Sequence, residues 1–109
     1  MRGAHTIGAL RHRVTLEAPV DVADELGGFT RSFAPMAHVW ARIETLGASE
    51  QFVEQRLEQS RRHAVTIRWR ADLTSGMRFD LRGRKLVIRG LEDSDERRKF
   101  LKCLCEEFS

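Results

Sequence analysis

The stretch Ala64-Val65-Thr66-Ile67-Arg68-Trp69-Arg70 decides the fold class of this chain, because its side chains alternate strictly between apolar and polar. Val65, Ile67 and Trp69 fall on one face, and the residues between them are polar. A period of two residues is typical of a strand that has one face in a core and the other in solvent. The stretch therefore predicts a half-buried β-strand in the middle of the chain.

Segments with the same period occur on both sides of this strand. They predict further strands at 10–18, 29–33, 38–44, 77–81, 86–91 and 100–107. Pro35 is predicted to end the strand at 29–33, and Gly83 to allow a tight basic hairpin turn before 86–91. Seven short strands at close spacing favour a mainly β fold, a small antiparallel β-barrel, since closure removes unpaired sheet edges.

The segment 46–63, between the third and fourth predicted strands, has a different pattern. Ser49 is a suitable helix N-cap, and Glu50 suits the positive end of a helix dipole. The apolar residues of the segment form only a narrow stripe, so a helix of about 14 residues would be marginal unless that stripe is packed. We expect one helix here, as a central insertion in the barrel.

Length and composition indicate one domain. The chain has 109 residues with 41% hydrophobic residues, enough for one modest core. The domain is predicted to span 1–109, with a flexible arm at 1–9, where no pattern is visible. No run approaches the roughly 18 apolar residues of a membrane span, and no signal peptide is recognisable. We expect a soluble protein with no membrane partner.

Residue types that can carry catalysis are present but are not arranged for it. The four histidines are scattered without metal-ligand spacing, and the serines lack a nucleophile-elbow context. Cys103 and Cys105 share one face of the last strand, which favours buried structural thiols over a disulfide or a metal site. The sequence therefore predicts no enzyme, no metal site and no cofactor.

Positive charge is concentrated in one third of the chain. The net charge is +3, but residues 61–89 hold nine Lys or Arg against two Asp, a balance of +7, and the rest of the chain carries −4. Such an asymmetry favours an anionic partner, with DNA the obvious candidate. A basic face that pairs with an acidic face of a neighbouring subunit explains it equally well.

A succession of short segments spans nearly the whole chain after residue 9. In order they are Leu10-x-His12-Arg13-Val14, Val39-Trp40-Ala41, Ser49-Glu50, Ile67-Arg68-Trp69-Arg70, Met77-Arg78-Phe79, Ile88-Arg89-Gly90 leading to Asp93, and Leu101-x-Cys103-x-Cys105-Glu106. No single segment is specific, but their order and spacing together resemble the head–tail joining proteins, also called head-closure or stopper proteins, of long-tailed phages and gene transfer agents.

The resemblance implies a structural protein of the virion neck, made in the bacterial cytoplasm and built into a phage or phage-like particle. Its members look like small β-barrels that form a ring, of about twelve copies, between the portal or adaptor protein and the tail terminator or tail tube. The ring retains double-stranded DNA in the head and provides the surface on which the tail docks. The insertion at 46–63 corresponds to the family's segment near the channel axis.

Candidate site residues follow from this reading. We expect Arg56, Arg61 and Arg62 to face the channel and its DNA. Trp40 is a candidate subunit interface residue, because it lies opposite the apolar face of its strand. The other candidate interface residues are Arg82, Arg84, Lys85, Glu92 and Asp93.

Two other readings remain open. A free nucleic-acid-binding barrel of the OB or SH3-like kind explains the basic centre, although such folds usually display aromatic stacking platforms and this chain has no Tyr. Another neck or tail-completion component is the second alternative. The sequence does not distinguish an infectious phage, a prophage remnant and a gene transfer agent, nor does it fix the subunit number.

Overall fold

The computed structural model describes residues 10–53, 56–93 and 97–108, without the side chains of 51–58. The predicted flexible arm, residues 1–9, lies outside the described residues. The strands are β1 (His12–Ala23), β2 (Phe29–Val53), β3 (Arg56–Arg68), β4 (Arg78–Leu81), β5 (Arg84–Asp93) and β6 (Phe100–Phe108). The mainly β class predicted from the alternating segments is thereby confirmed.

The strands pair in a closed ring in the order β1-β2-β3-β6-β5-β4. Every pairing is antiparallel, and β1 closes the barrel by pairing with β4 from Thr15 to Glu17. The four-residue strand β4 is thus hydrogen-bonded on both sides despite its length. Closure leaves none of the six strands as a full-length exposed edge, which removes the usual template for edge-to-edge aggregation.

The core is built from the inward positions of the alternating segments. The residues that are at most 1% exposed and lie in its apolar cluster are Val14, Leu16, Ala41, Val65, Ile67, Phe79, Leu86, Ile88 and Cys103. Trp69 is partly buried and packs against this cluster, as predicted from its place on the same strand face as Val65 and Ile67. Both cysteines are free and buried, and burial raises the pKa of the Cys103 thiol to about 12. The prediction of buried structural thiols is confirmed.

The predicted helix at 46–63 is wrong. Residues 46–53 end β2 and residues 56–63 begin β3, and the two strands pair antiparallel as far as Val53 and Arg56. The described residues contain no helix. A short helix with a narrow apolar stripe needs a surface to pack on. Two strands that are already paired in the barrel gain further cross-strand hydrogen bonds when they extend, whereas a helix would need a separate, unfavourable nucleation step. The hairpin is therefore the favoured structure.

The segments on either side of Pro35, predicted as two strands, belong to one continuous strand. Leu16 of β1 pairs with Ala37 of β2. The next residue, Glu17, pairs with Pro35, which leaves Met36 as an extra residue in the ladder. A bulge of this kind locally interrupts the ladder at the place where proline has no amide hydrogen to donate, so that β2 continues past it.

The connections between strands gather at two ends of the barrel, because neighbouring strands run in opposite directions all the way round. The loop end carries residues 24–28, 69–77 and 97–99. The ribbon end carries the turn at Arg82-Gly83 and the ribbon, which we define as residues 46–53 and 56–62. At the loop end, residues 18–34 project beyond the β1–β4 pairing and form the tip hairpin.

The predicted hairpin turn between β4 and β5 has two residues in the left-handed region. Arg82 has a φ of 53° and Gly83 a φ of 90°, and the Asp80 carboxylate accepts a hydrogen bond from the Gly83 amide at 2.8 Å. Two positive φ values are typical of the type I′ turn, which favours Asn-Gly.

Because Arg82 holds a conformation that costs most side chains about 1 kcal/mol, we expect Arg82→Asn to raise the free energy of unfolding by about 0.5–1 kcal/mol. Urea denaturation measures the change. The control is Arg68→Asn, at an exposed strand position where Asn is disfavoured and a small loss is expected. A loss of stability at Arg82 would contradict the turn assignment.

Candidate functional site

The ribbon carries the residues predicted to face the channel. Arg61 and Arg62 are exposed and lie opposite Ala48 and Gly47 across the hairpin. Arg56 begins β3, and its side chain lies outside the described residues. Within the described residues neither Arg61 nor Arg62 forms an ion pair, so both guanidinium groups are available to an anionic partner. Their DNA-facing role stays a prediction.

Side-chain hydrogen bonds join the two strands of the ribbon. The hydroxyl groups of Ser49 and Ser60 are 2.9 Å apart, and the Gln59 amide donates to the Glu50 carboxylate at 3.2 Å. Ser49, predicted as a helix N-cap, is therefore a cross-strand partner. Cross-strand polar pairs of this kind favour one register of the hairpin.

A buried polar network lies where the ribbon leaves the barrel. His63 is 1% exposed, and its Nε2 lies 2.9 Å from the Glu107 carboxylate while its Nδ1 lies 3.1 Å from the Thr45 hydroxyl. An ionised carboxylate only accepts, so Nε2 is the donor in that contact. Arg84 donates two further hydrogen bonds to Glu107, each of 2.8 Å.

The hydrogen bonds from Arg84 are the main reason why the pKa of Glu107 falls from 4.5 to about 2. Burial opposes this fall, and the contact with His63 adds to it. Sequence reasoning missed this network. The available signal was the position of His63, two residues before Val65 and so on the inward face of the same strand.

The predicted basic interface residues lie at the ribbon end, and two of the three are engaged within the chain. Arg84 binds Glu107, and the Lys85 ammonium lies 3.5 Å from Asp80 and 3.6 Å from Glu17. Arg82 is exposed at the turn. Of these three residues, Arg82 alone forms no ion pair within the described residues, whereas the Arg84 guanidinium and the Lys85 ammonium are already partly neutralised.

The predicted acidic interface residues lie at the other end of the same strand. Glu92 is exposed and opposite Lys102 across the β5–β6 pairing, and Asp93 accepts a hydrogen bond from the Arg98 amide at 3.1 Å. Ten residues of β5 separate this end from the basic turn by about 30 Å. The two sets form separate patches at opposite ends of the barrel.

Trp40 lies on the outer wall of the barrel, in β2. It is 51% exposed, and the Arg13 guanidinium lies 5.3 Å from the centre of its ring. Trp and Arg are both enriched among the residues that contribute most to binding at protein interfaces. Its predicted interface role is compatible with this position and stays a prediction.

Other kinds of site are not indicated by the part of the chain that the structure describes. Those residues hold no group of three or more His, Cys, Asp or Glu placed to bind a metal ion. They also contain no helix long and apolar enough to cross a membrane.

The family model of the phage head completion proteins matches residues 6–107 of the chain. The chain belongs to this family. The expectation of a head–tail joining protein, drawn from the order of short segments, is confirmed. This head completion protein thus comes from a family of structural virion proteins and not from an enzyme family.

Two solved structures resemble this head completion protein over nearly its whole length. One is a chain in the virion of a native gene transfer agent particle, with a TM-score of 0.79 and 25% identity, covering 92% of this chain and 96% of that chain. The other is protein SF1141 from Shigella flexneri 2a, with a TM-score of 0.68 and 23% identity, covering 94% and 96%, which shows the fold alone. No curated protein matches the sequence.

Proposed function

We propose that this head completion protein is a structural component of the virion neck. It forms a ring between the portal or adaptor and the tail, retains packaged DNA and presents the surface on which the tail docks. The observation that carries the proposal is the family match over residues 6–107. The likeness to a chain of a gene transfer agent virion supports the same location.

The barrel has the asymmetry that such a place requires. A subunit between head and tail contacts different partners at its two ends, and the ribbon end and loop end carry different predicted patches, basic at one and acidic at the other. A ring also needs two different complementary surfaces on each subunit. The ribbon projects from the barrel and carries two arginines, Arg61 and Arg62, that form no ion pair within the part of the chain that the structure describes. It is the element that we assign to the channel.

The first test uses DNA-filled heads from particles that lack this protein. Adding the purified chain is expected to restore both nuclease-resistant DNA and tail attachment. If the chain binds free DNA without affecting filled heads, the nucleic-acid-binding barrel replaces the neck proposal. If DNA is retained but tails attach only with another added component, the protein is a different neck component.

Removing the ribbon charges tests the channel assignment. The triple substitution of Arg56, Arg61 and Arg62 by Gln is expected to weaken DNA retention while tails still attach, because sparse phosphate contacts hold DNA without sequence preference. The measurement is the fraction of nuclease-resistant DNA at two salt concentrations. A matched control removes Arg11, Arg42 and Lys102 from the barrel wall. Equal loss in both variants would contradict a special role of the ribbon.

Truncating Trp40 tests the interface assignment. We expect Trp40→Ala to lower the free energy of unfolding by less than about 1 kcal/mol, since half of the side chain is already in solvent, and to reduce incorporation into heads much more. Trp69→Ala is the matched control, because Trp69 packs against the core and its loss acts on folding first. An unfolded Trp40→Ala chain, or one that assembles normally, would contradict the assignment.

A further inference from the structure

The turn of the tip hairpin holds an apolar side chain in solvent. Leu26 is 95% exposed and Phe29, at the start of β2, is 73% exposed. The turn itself is ordered: the Asp24 carboxylate accepts hydrogen bonds from the amides of Leu26 and Gly28, both at 2.9 Å. Leu26 is thus presented on a fixed loop, preceded by Asp24 and the exposed Glu25. Residues 22–30 carry no basic residue.

A cleft on the outer wall of the barrel combines apolar side chains with cationic ones. It has a volume of about 240 Å³ and is lined by Leu10, His38, Val39, Trp40, Arg68 and Arg70. Its apolar part is formed by Leu10, Val39 and Trp40, and its cationic part by the two arginines. Sites for drug-sized ligands start at about 300 Å³, so the size suits one inserted side chain better than a small molecule.

One of the two guanidinium groups in the cleft forms no ion pair within the described residues. Arg70 is bound to Asp72 through two hydrogen bonds, of 2.8 and 3.0 Å. Arg68 is exposed and forms no ion pair within the described residues. An acidic residue next to an inserted apolar side chain would therefore find an unpaired cation here. Glu25, adjacent to Leu26, has that charge and that position.

The tip of one chain cannot fill the cleft of the same chain. Phe29 and Trp40 are eleven residues apart in one continuous strand, which separates them by on the order of 30 Å. Leu26 lies still further along, beyond the start of that strand. The occupant must come from another molecule. Contact between two different patches of identical chains is of the head-to-tail type, which forms a ring when the rotation between neighbours closes.

We propose that Leu26 of one copy inserts into the cleft beside Trp40 of the next copy, with Glu25 pairing with Arg68. The inference rests on the proposed ring function and adds the contact by which the ring closes. The two surfaces match in apolar character and in charge, since an apolar side chain with an acidic neighbour meets an apolar cleft with a cation that has no ion pair within the described residues.

Engineered cysteines test the contact directly, since the native Cys103 and Cys105 are buried and do not compete. We expect Leu26→Cys and His38→Cys chains, mixed and added to DNA-filled heads, to form disulfide-linked dimers on oxidation. Neither chain alone is expected to dimerise. A chain that carries both substitutions is expected to form a ladder of multimers on a non-reducing gel, because each copy then links to two neighbours.

The outcomes separate this inference from the neck function. If the doubly substituted chain restores tail attachment and forms no ladder, the inference is overturned and the neck function stands. If its cleft thiol is then shielded from maleimide in the particle, another virion component or DNA occupies the cleft. If the unmodified chain restores nothing, the neck function fails, and the inference fails with it.

Charge exchange provides a second test that does not depend on thiols. Glu25→Arg and Arg68→Glu are each expected to weaken incorporation into heads, roughly tenfold as for an interface anchor, and the two together to recover it. Leu91→Ser, at an exposed apolar position on β5, is the control and is expected to leave incorporation unchanged. Failure of the double exchange to recover, with both chains folded, would overturn the proposed pairing.

Discussion

Phe79→Ala is expected to lower the free energy of unfolding by about 4 kcal/mol. The Phe79 side chain is fully buried, and its removal leaves a cavity in addition to the lost transfer free energy. Small domains are stable by about 5–15 kcal/mol in total, so the variant is expected to be largely unfolded in moderate urea. Urea denaturation followed by tryptophan fluorescence measures the loss.

The place of Phe79 in the barrel is the reason for this large effect. It lies in β4, the shortest strand, and pairs with Leu16 of β1 on one side and Leu86 of β5 on the other. A cavity here loosens the strand that closes the ring. Phe108→Ala is the control, because Phe108 is 48% exposed at the end of β6, and we expect it to cost less than about 1 kcal/mol. Equal losses would contradict the core assignment.

Glu107→Gln is expected to lower the free energy of unfolding near neutral pH. It is also expected to remove part of the decrease in that free energy at acid pH. In the folded chain the Arg84 fork holds the pKa of Glu107 at about 2, below its ordinary value of 4.5. A lowered pKa stabilises the folded chain at pH above the ordinary value. That stabilisation is lost as the pH falls from 4.5 towards 2.

The size of this effect follows from the two pKa values, whose difference corresponds to about 3 kcal/mol. The Glu107 side chain is only 15% exposed, but its Arg84 partner is 47% exposed, so solvent screening reduces the figure to about 2 kcal/mol. Urea denaturation of both chains at pH 6 and pH 2.5 measures it. The difference between them is expected to shrink at the lower pH.

Glu106→Gln is the matched control for this experiment. Glu106 is the neighbouring carboxylate and accepts one hydrogen bond from the exposed Arg89, at 3.1 Å. An exposed pair of this kind contributes less than about 1 kcal/mol. A Glu107→Gln chain as stable as Glu106→Gln at pH 6 would show that the network around His63 does not stabilise the barrel.

The alternating segments were enough to predict most of the barrel. In each of these segments every second residue is apolar, as Val65 and Ile67 are, so the sequence itself indicates which face of the strand is buried. The core of the closed sheet is formed from those same positions. The ribbon could not be predicted in this way. Its polar residues suit a helix by intrinsic preference, and only the neighbouring paired strands make the extended structure favourable.

For the candidate site, too, some features were predictable from the sequence and others were not. The sequence alone determined the β class, the inward residues, the concentration of basic charge and, through the order of its short segments, the family. Only the tertiary structure decided that His63, Glu107 and Arg84 meet, that the basic turn and Glu92 lie at opposite ends, and that Leu26 and Trp40 both face solvent. Periodicity fixes which way a side chain points within its own strand, whereas the pairing of strands distant in sequence fixes what it meets there.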